Sequence, residues 1–205
     1  MLGIDVHHAD GKLDFSALKR QGIAFCYAKA TEGATFTDPL YSWYRQKAGQ
    51  CGILFGAYHF LGTKSDPVDQ ADHFLHVVGN LRGYLPPVVD AEEEGLSKFD
   101  YTDKVATFAK HVWRLGGVYP IVYAGADFLR NNLDASRLSH LHLWLAKYPK
   151  TGAPFGKTPT AAPWGTPTFW QFTDEGDMKG LVRPGSLDMN YFTGSAVDLA
   201  SLVIR

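Results

Sequence analysis

Two cysteines, no long apolar run and almost no net charge remove several function classes from this chain of 205 residues. Cys26 and Cys51 each lie in an apolar stretch. One disulfide is open to them, but two buried thiols are the plainer expectation, and their spacing offers no zinc site. No segment approaches the roughly 20 apolar residues of a membrane span. With 20 basic and 21 acidic side chains the net charge is −1, so bulk electrostatics gives no footing for nucleic acid or a membrane surface. No signal peptide is visible: "MLGIDV" enters a strand-like pattern at once. This predicts a chain that is mature as written, made in the cytoplasm, or exported by another route. Internal repeats and long low-complexity tracts are also missing.

What is present is an ordinary globular composition, 45% hydrophobic and 20% charged, long enough for one full core. Eight segments read as strands: "LGIDV", "IAFCYAKA", "GILFGAYHF", "PPVVDAE", "VYPIVYAG", "LHLWLAKY", "TFWQFT" and "LDMNYF". Several are nearly continuous apolar runs, as expected of strands covered on both faces. Helical stretches separate the early ones. Asp38 with Pro39 and Asp66 with Pro67 each read as an N-cap followed by proline at the first helical position. Val105, Phe108, Ala109, Val112 and Leu115 recur at helical spacing, and "ADFLRNN" follows the fifth strand. Beyond it the alternation stops. Strand–helix alternation with eight strands predicts a mostly parallel α/β barrel. The chain is short for the full eightfold version, so the expectation is an irregular TIM-like barrel, one domain over residues 1–205. The Pro-, Gly- and Thr-rich stretch Pro149 to Thr168 reads as a rim loop, since as a linker it would leave too little chain for a second core.

The acids carry the chemistry. In "VVDAEEEG" a strand runs into four carboxylates. Residues i and i+2 of a strand project together, about 6.6 Å apart, so Asp90 and Glu92 share a side and Ala91 faces away. At the C-terminal mouth of a parallel barrel such a pair suits acid–base work, because each disfavours ionisation of the other. Glu93 and Glu94 are expected in the solvated loop. Asp5 ends the first strand and Asp188 lies in the last. Closure of the barrel makes those strands neighbours and brings both acids to the same mouth.

The opening "GIDVHHADGKLDFSALKRQGIAFCYAKATEGATFTDP", followed by "GAYHF", "VVDAEEEG", "IVYAG", "LWLAKY", "WQFTDEGDMKGL" and "LDMNYF", resembles the family 25 glycoside hydrolases, the Chalaropsis-type lysozymes, along essentially the whole chain. The resemblance implies an N-acetylmuramidase that cuts the β-1,4 bond from N-acetylmuramic acid to N-acetylglucosamine in bacterial peptidoglycan. It also implies a barrel of five β/α units followed by three further strands. Glu92 matches the family's general acid and Asp90 the second member of its Asp-x-Glu pair. Asp5 and Asp188 match the other acids of the mouth. Asp10, Phe15 and Ala28 depart from the family pattern without touching these carboxylates. Retention of configuration with help from the substrate's 2-acetamido group is the expected course, although strand spacing straddles the carboxyl separations of retaining and inverting enzymes.

Sugar sites pack aromatic faces against C–H surfaces. Tyr58, Tyr123 and Tyr148 are the aromatic candidates favoured for a cleft, followed by Trp144 and by Gln171 beside Trp170. Trp164 reads either as a rim contact or as a loop anchor. Lys29 and Glu32 in "KATEG" read equally as an ion pair or as substrate contacts. His7 and His8 are adjacent, so a strand would point them to opposite faces and away from a shared metal. His59 and His73 complete no ligand set. No metal or cofactor is expected. The expected partner is the glycan strand of peptidoglycan, with no nucleic acid or membrane, and the expected state is a monomer acting on the cell wall. Two other readings stay open: a binding module that kept the cleft without turnover, which loss of Glu92 would have favoured, and cleavage of another N-acetylhexosamine polymer such as chitin.

Overall fold

Side-chain alternation along each strand decides which residues fill the barrel and which pack beneath the helices. The computed structural model describes residues 1–149, 157–179 and 185–205. Its elements in chain order are β1 (Leu2–Val6), α1 (Phe15–Arg20), β2 (Phe25–Glu32), β3 (Phe36–Thr37), α2 (Tyr41–Gln50), β4 (Leu54–Phe60), α3 (Pro67–Val78), β5 (Val88–Asp90), α4 (Lys98–Gly116), β6 (Ile121–Gly125), α5 (Ala126–Asn132), α6 (Ala135–Leu138), β7 (Leu143–Ala146), β8 (Phe169–Gly176), β9 (Leu187–Phe192) and α7 (Ala196–Ser201). All eight expected strands are there. The two-residue β3, which pairs antiparallel with the end of β2, is an addition.

The sheet runs β1-β9-β8-β7-β6-β5-β4-β2 and closes through β1–β2. Pairings from β1 through β2 and on to β8 are parallel, whereas β9 is antiparallel to both its neighbours. An antiparallel partner needs no crossover helix, which explains how the barrel closes on so short a chain. This is the irregular single-domain barrel that the sequence predicts.

Two glycines admit aromatics to the barrel interior. A Cβ on Gly3 would lie 2.3 Å from the Phe25 ring, and one on Gly56 would lie 2.1 Å from the Tyr27 ring. With those positions bare, Phe25, Tyr27, Trp144, Phe169 and Phe192 form one interior cluster. Trp144 and Tyr27 sit 4.9 Å apart by ring centroids. This packed plug floors the C-terminal mouth. A second layer between strands and helices includes Ala91, Val105, Phe108 and Leu145.

Several local expectations need correction. Helix α2 starts at Tyr41, not after Asp38. Pro39 and Leu40 form a turn, and the Asp38 carboxylate caps it by accepting the Leu40 N–H at 2.9 Å and the His8 N–H at 2.9 Å. The Asp66–Pro67 start of α3 is as predicted. In α4 the inward position after Val112 belongs to Gly116, whose Cβ would press on Leu81, so Leu115 points outward at 59% exposure. Cys26 and Cys51 are separate thiols, the second only half-buried. Trp164 is a loop anchor whose indole N–H donates to Leu141 O at 2.8 Å. Residues 150–156 of the Pro-rich loop, and the Gly180 and Leu181 end of "WQFTDEGDMKGL", lie outside the described residues.

Candidate active site

The acids at the ends of β1, β5 and β9 meet in one open cleft of about 210 Å³. Asp5, Asp90, Glu92 and Asp188 all line it, together with Lys29, Tyr58, Tyr123 and Trp144. Strand β5 ends at Asp90, and Ala91 extends the ladder by one bond to Tyr123 O at 2.9 Å. That extra residue keeps the alternation: Ala91 is buried in the outer layer, and Glu92 turns back to the side of Asp90.

Asp5 and Asp188 stand directly opposite each other across β1 and β9. Asp5 accepts from Asn190 Nδ2 at 2.6 Å and from Gln171 Nε2 at 3.0 and 3.2 Å. Burial raises its pKa, and those hydrogen bonds with the one from Asp188 oppose the rise. Burial, then the Asp5 charge and the hydrogen bond to Asp5, push Asp188 up to about 9. At neutral pH Asp188 is therefore the protonated partner, donating to Asp5.

Asp90 is buried, and among the described residues its Oδ1 has no hydrogen-bond partner. Burial raises its pKa well above the carboxylate range, the Glu92 charge raises it further, and Lys29 opposes both. Glu92 reaches solvent at the cleft edge. The cleft walls crowd it, and their partial burial of the carboxyl, with the Asp5 charge, raises its pKa against Lys29. A buried carboxyl oxygen with no partner among the described residues, beside a solvent-reaching acid, gives the cleft the means to accept an N–H and to exchange a proton.

The aromatic candidates separate. Tyr58 and Tyr123 line the cleft, and Trp144 forms its floor while its indole N–H donates to Asn190 Oδ1 at 2.8 Å. Tyr148 lies across Glu92, in an adjoining hollow of about 190 Å³ shared with Glu92, Tyr123 and Lys147. The Tyr123 and Tyr148 hydroxyls both donate to Gln171 Oε1, at 2.9 and 2.8 Å. Gln171 itself is 1% exposed and sits behind the surface, passing these contacts on to Asp5. Trp170 points elsewhere, its N–H donating to Lys147 O.

The ion-pair reading of Lys29 holds, its Nζ lying 2.5 Å from Glu32 and 4.7 Å from the Phe60 ring centroid, and Lys29 also lines the cleft. Glu93, expected in the solvated loop with Glu94, instead accepts the Thr63 N–H and is half-buried. His7 lines the cleft, whereas the His8 ring bonds Asp38 at 2.8 Å. His59 is buried between Thr31 Oγ1 and Gln70 Oε1, and burial lowers its pKa to about 3. Asn190, which joins Asp5 to Trp144, escapes notice in the sequence. The signal for it is its place two residues after Asp188 on the same strand.

The sequence profile of "Glycosyl hydrolases family 25" matches residues 4–181. The "Autolytic lysozyme" of Clostridium acetobutylicum is 30% identical over 100% of this chain, which spans 59% of that protein's length. "Lysozyme M1" of Streptomyces globisporus is 32% identical over 98% of this chain and 70% of its own. Among solved structures, the bacterial lysozyme from Streptomyces coelicolor superposes with a TM-score of 0.85 at 29% identity, covering 99% of this chain and 96% of that one.

Proposed function

This chain belongs to the glycosyl hydrolases of family 25, and from that premise we propose that it is an N-acetylmuramidase acting on bacterial peptidoglycan, with Glu92 as general acid and Asp90 as its partner. The observation that carries the assignment is the pairing of a crowded, solvent-reaching Glu92 with a buried Asp90 whose Oδ1 has no partner among the described residues. Burial raises the pKa of both acids, and the Glu92 charge raises that of Asp90 further, which favours keeping a proton within the pair. Substrate decides where it resides. The N–H of a bound 2-acetamido group at Asp90 Oδ1, with Lys29 nearby, favours the charge on Asp90 and leaves the proton on Glu92.

Glu92 then protonates the glycosidic oxygen as the bond to C1 breaks. The acetamido oxygen attacks C1, and the Asp90 carboxylate stabilises the positive charge that spreads over the acetamido group. Water, deprotonated by Glu92, opens this intermediate, and two inversions give net retention. Asp188, neutral and donating its proton to Asp5, offers its other carboxyl oxygen to the sugar as an acceptor. Tyr58 and Tyr123 offer apolar faces to the rings above the buried Trp144 floor, and Tyr148 extends that surface past Glu92. Gln171 fixes the orientation of the Tyr123 and Tyr148 hydroxyls.

Glu92→Gln should lower kcat by about 10²–10⁴ on purified peptidoglycan, the usual contribution of a general acid. Proton NMR of the first product decides the stereochemistry. A β-anomer appearing first supports retention, and an α-anomer first overturns it.

A further inference from the structure

A larger hollow of about 410 Å³ opens beyond the acid cleft, over the ends of β6 and β7. Its floor is apolar, built from Leu129, Leu133 and Leu145, and its rim carries Lys98, Arg130 and Lys147 with Asp134; Arg130 is also paired with Asp127 at 2.8 Å. Lys147 also borders the hollow that contains Glu92 and Tyr148, so the two spaces adjoin through that residue. The root of Lys147 is fixed, its N–H donating to Gln171 O at 3.1 Å and its carbonyl accepting from Trp170 at 2.8 Å. Its side chain stands exposed between the hollows. Lys98 Nζ donates to Arg130 O at 2.9 Å, which ties the start of α4 to α5 and keeps two of the cations on one edge.

The volume falls in the ~300–1,000 Å³ range of small-ligand sites. With Asp127 and Asp134 set against Lys98, Arg130 and Lys147, the rim keeps a net positive charge above a leucine floor, which suits a ligand that combines small apolar side chains with carboxylate. We propose that this groove binds the stem peptide of peptidoglycan, the short, alanine-rich, anionic peptide carried on the lactyl group of N-acetylmuramic acid. The identity of the occupant rests on the muramidase reading. The groove recruits strands that still bear peptide, and the acid cleft reads the glycan alone.

The test is an NMR titration of the full chain with N-acetyl-L-alanyl-γ-D-glutamyl-meso-diaminopimelate, which contains no sugar and needs no turnover. Saturable shifts at the amides of Ala126, Ser136 and Lys147, weakened by added salt, are expected. Lys147→Glu and Arg130→Glu, both surface substitutions, should weaken binding about tenfold or more, and Lys147→Arg should retain it. Shifts confined to the acid cleft, equal affinity in the charge-reversed variants, or no saturable shift would each overturn the proposal. A parallel assay compares cleavage of whole peptidoglycan with that of strands stripped of peptide. Lys147→Glu should lower turnover of the first substrate only, and equal loss on both would count against the groove. If the wild type cleaves neither, the muramidase reading fails while the peptide titration still decides whether the groove binds.

Discussion

The two aspartates that face each other across β1 and β9 yield a quantitative consequence. Asp188 keeps its proton up to about pH 9, whereas an unfolded aspartic acid loses it near pH 4. Between those limits the folded chain holds one more proton at this residue than the unfolded chain does. The sign follows directly: stability from this group is complete below about pH 4 and is lost as pH rises toward 9, at about 1.4 kcal/mol per pH unit. Asp188→Asn keeps a donor facing Asp5 and removes the ionisation. Whatever constant offset the amide introduces, the unfolding free energy of the variant minus that of the wild type should climb by about 4 kcal/mol from pH 5 to pH 8. Urea unfolding at a series of pH values, followed by tryptophan fluorescence, measures that slope. Parallel curves would refute the reasoning, because they would show that Asp188 gains no proton on folding.

Other consequences follow from the same contacts. Trp144→Phe leaves Asn190 Oδ1 buried without its indole donor and should cost about 1–3 kcal/mol in thermal or urea unfolding. Tyr123→Phe and Tyr148→Phe each leave Gln171 Oε1 one donor, so each alone should be mild, while the double variant should exceed their sum by about 0.5 kcal/mol or more in a double-mutant cycle. The His59 ring, with its pKa lowered to about 3, should show no change in its NMR resonances as pH falls from 7 to 4. Because unfolded histidine ionises near pH 6.5, stability tied to this ring is full above that pH and declines below it. With Glu92 as the proposed general acid, the alkaline limb of activity should lie above the ordinary glutamate range and shift toward lower pH in Asp5→Asn, which removes a neighbouring charge.

Much of this architecture is legible in the chain because strands and carboxylates leave periodic traces. The eight apolar runs and the early strand–helix alternation specify the barrel, and its closure brings Asp5 to Asp188. The i, i+2 rule puts Glu92 beside Asp90 even though β5 stops between them. What the sequence hides are choices made by tertiary partners. Leu115 fits the helical stripe, yet Gly116 takes the inward place because Leu81 packs there. Glu93 looks solvated until the Thr63 N–H reaches it. Tyr123 and Tyr148 read as sugar contacts, but their hydroxyls are committed to Gln171, which is visible only once β6, β7 and β8 lie side by side. Asn190 was within reach of the alternation rule and has no charge to draw attention to it.

The central claim is which bond is cut and by which acid. Mass spectrometry of products from purified peptidoglycan, reduced with borohydride, tests both when wild type is compared with Glu92→Gln. Reduced N-acetylmuramic acid ends from the wild type, and few or none from the variant, are the predicted result. Reduced N-acetylglucosamine ends, anhydro ends, or undiminished cleavage by Glu92→Gln would contradict it.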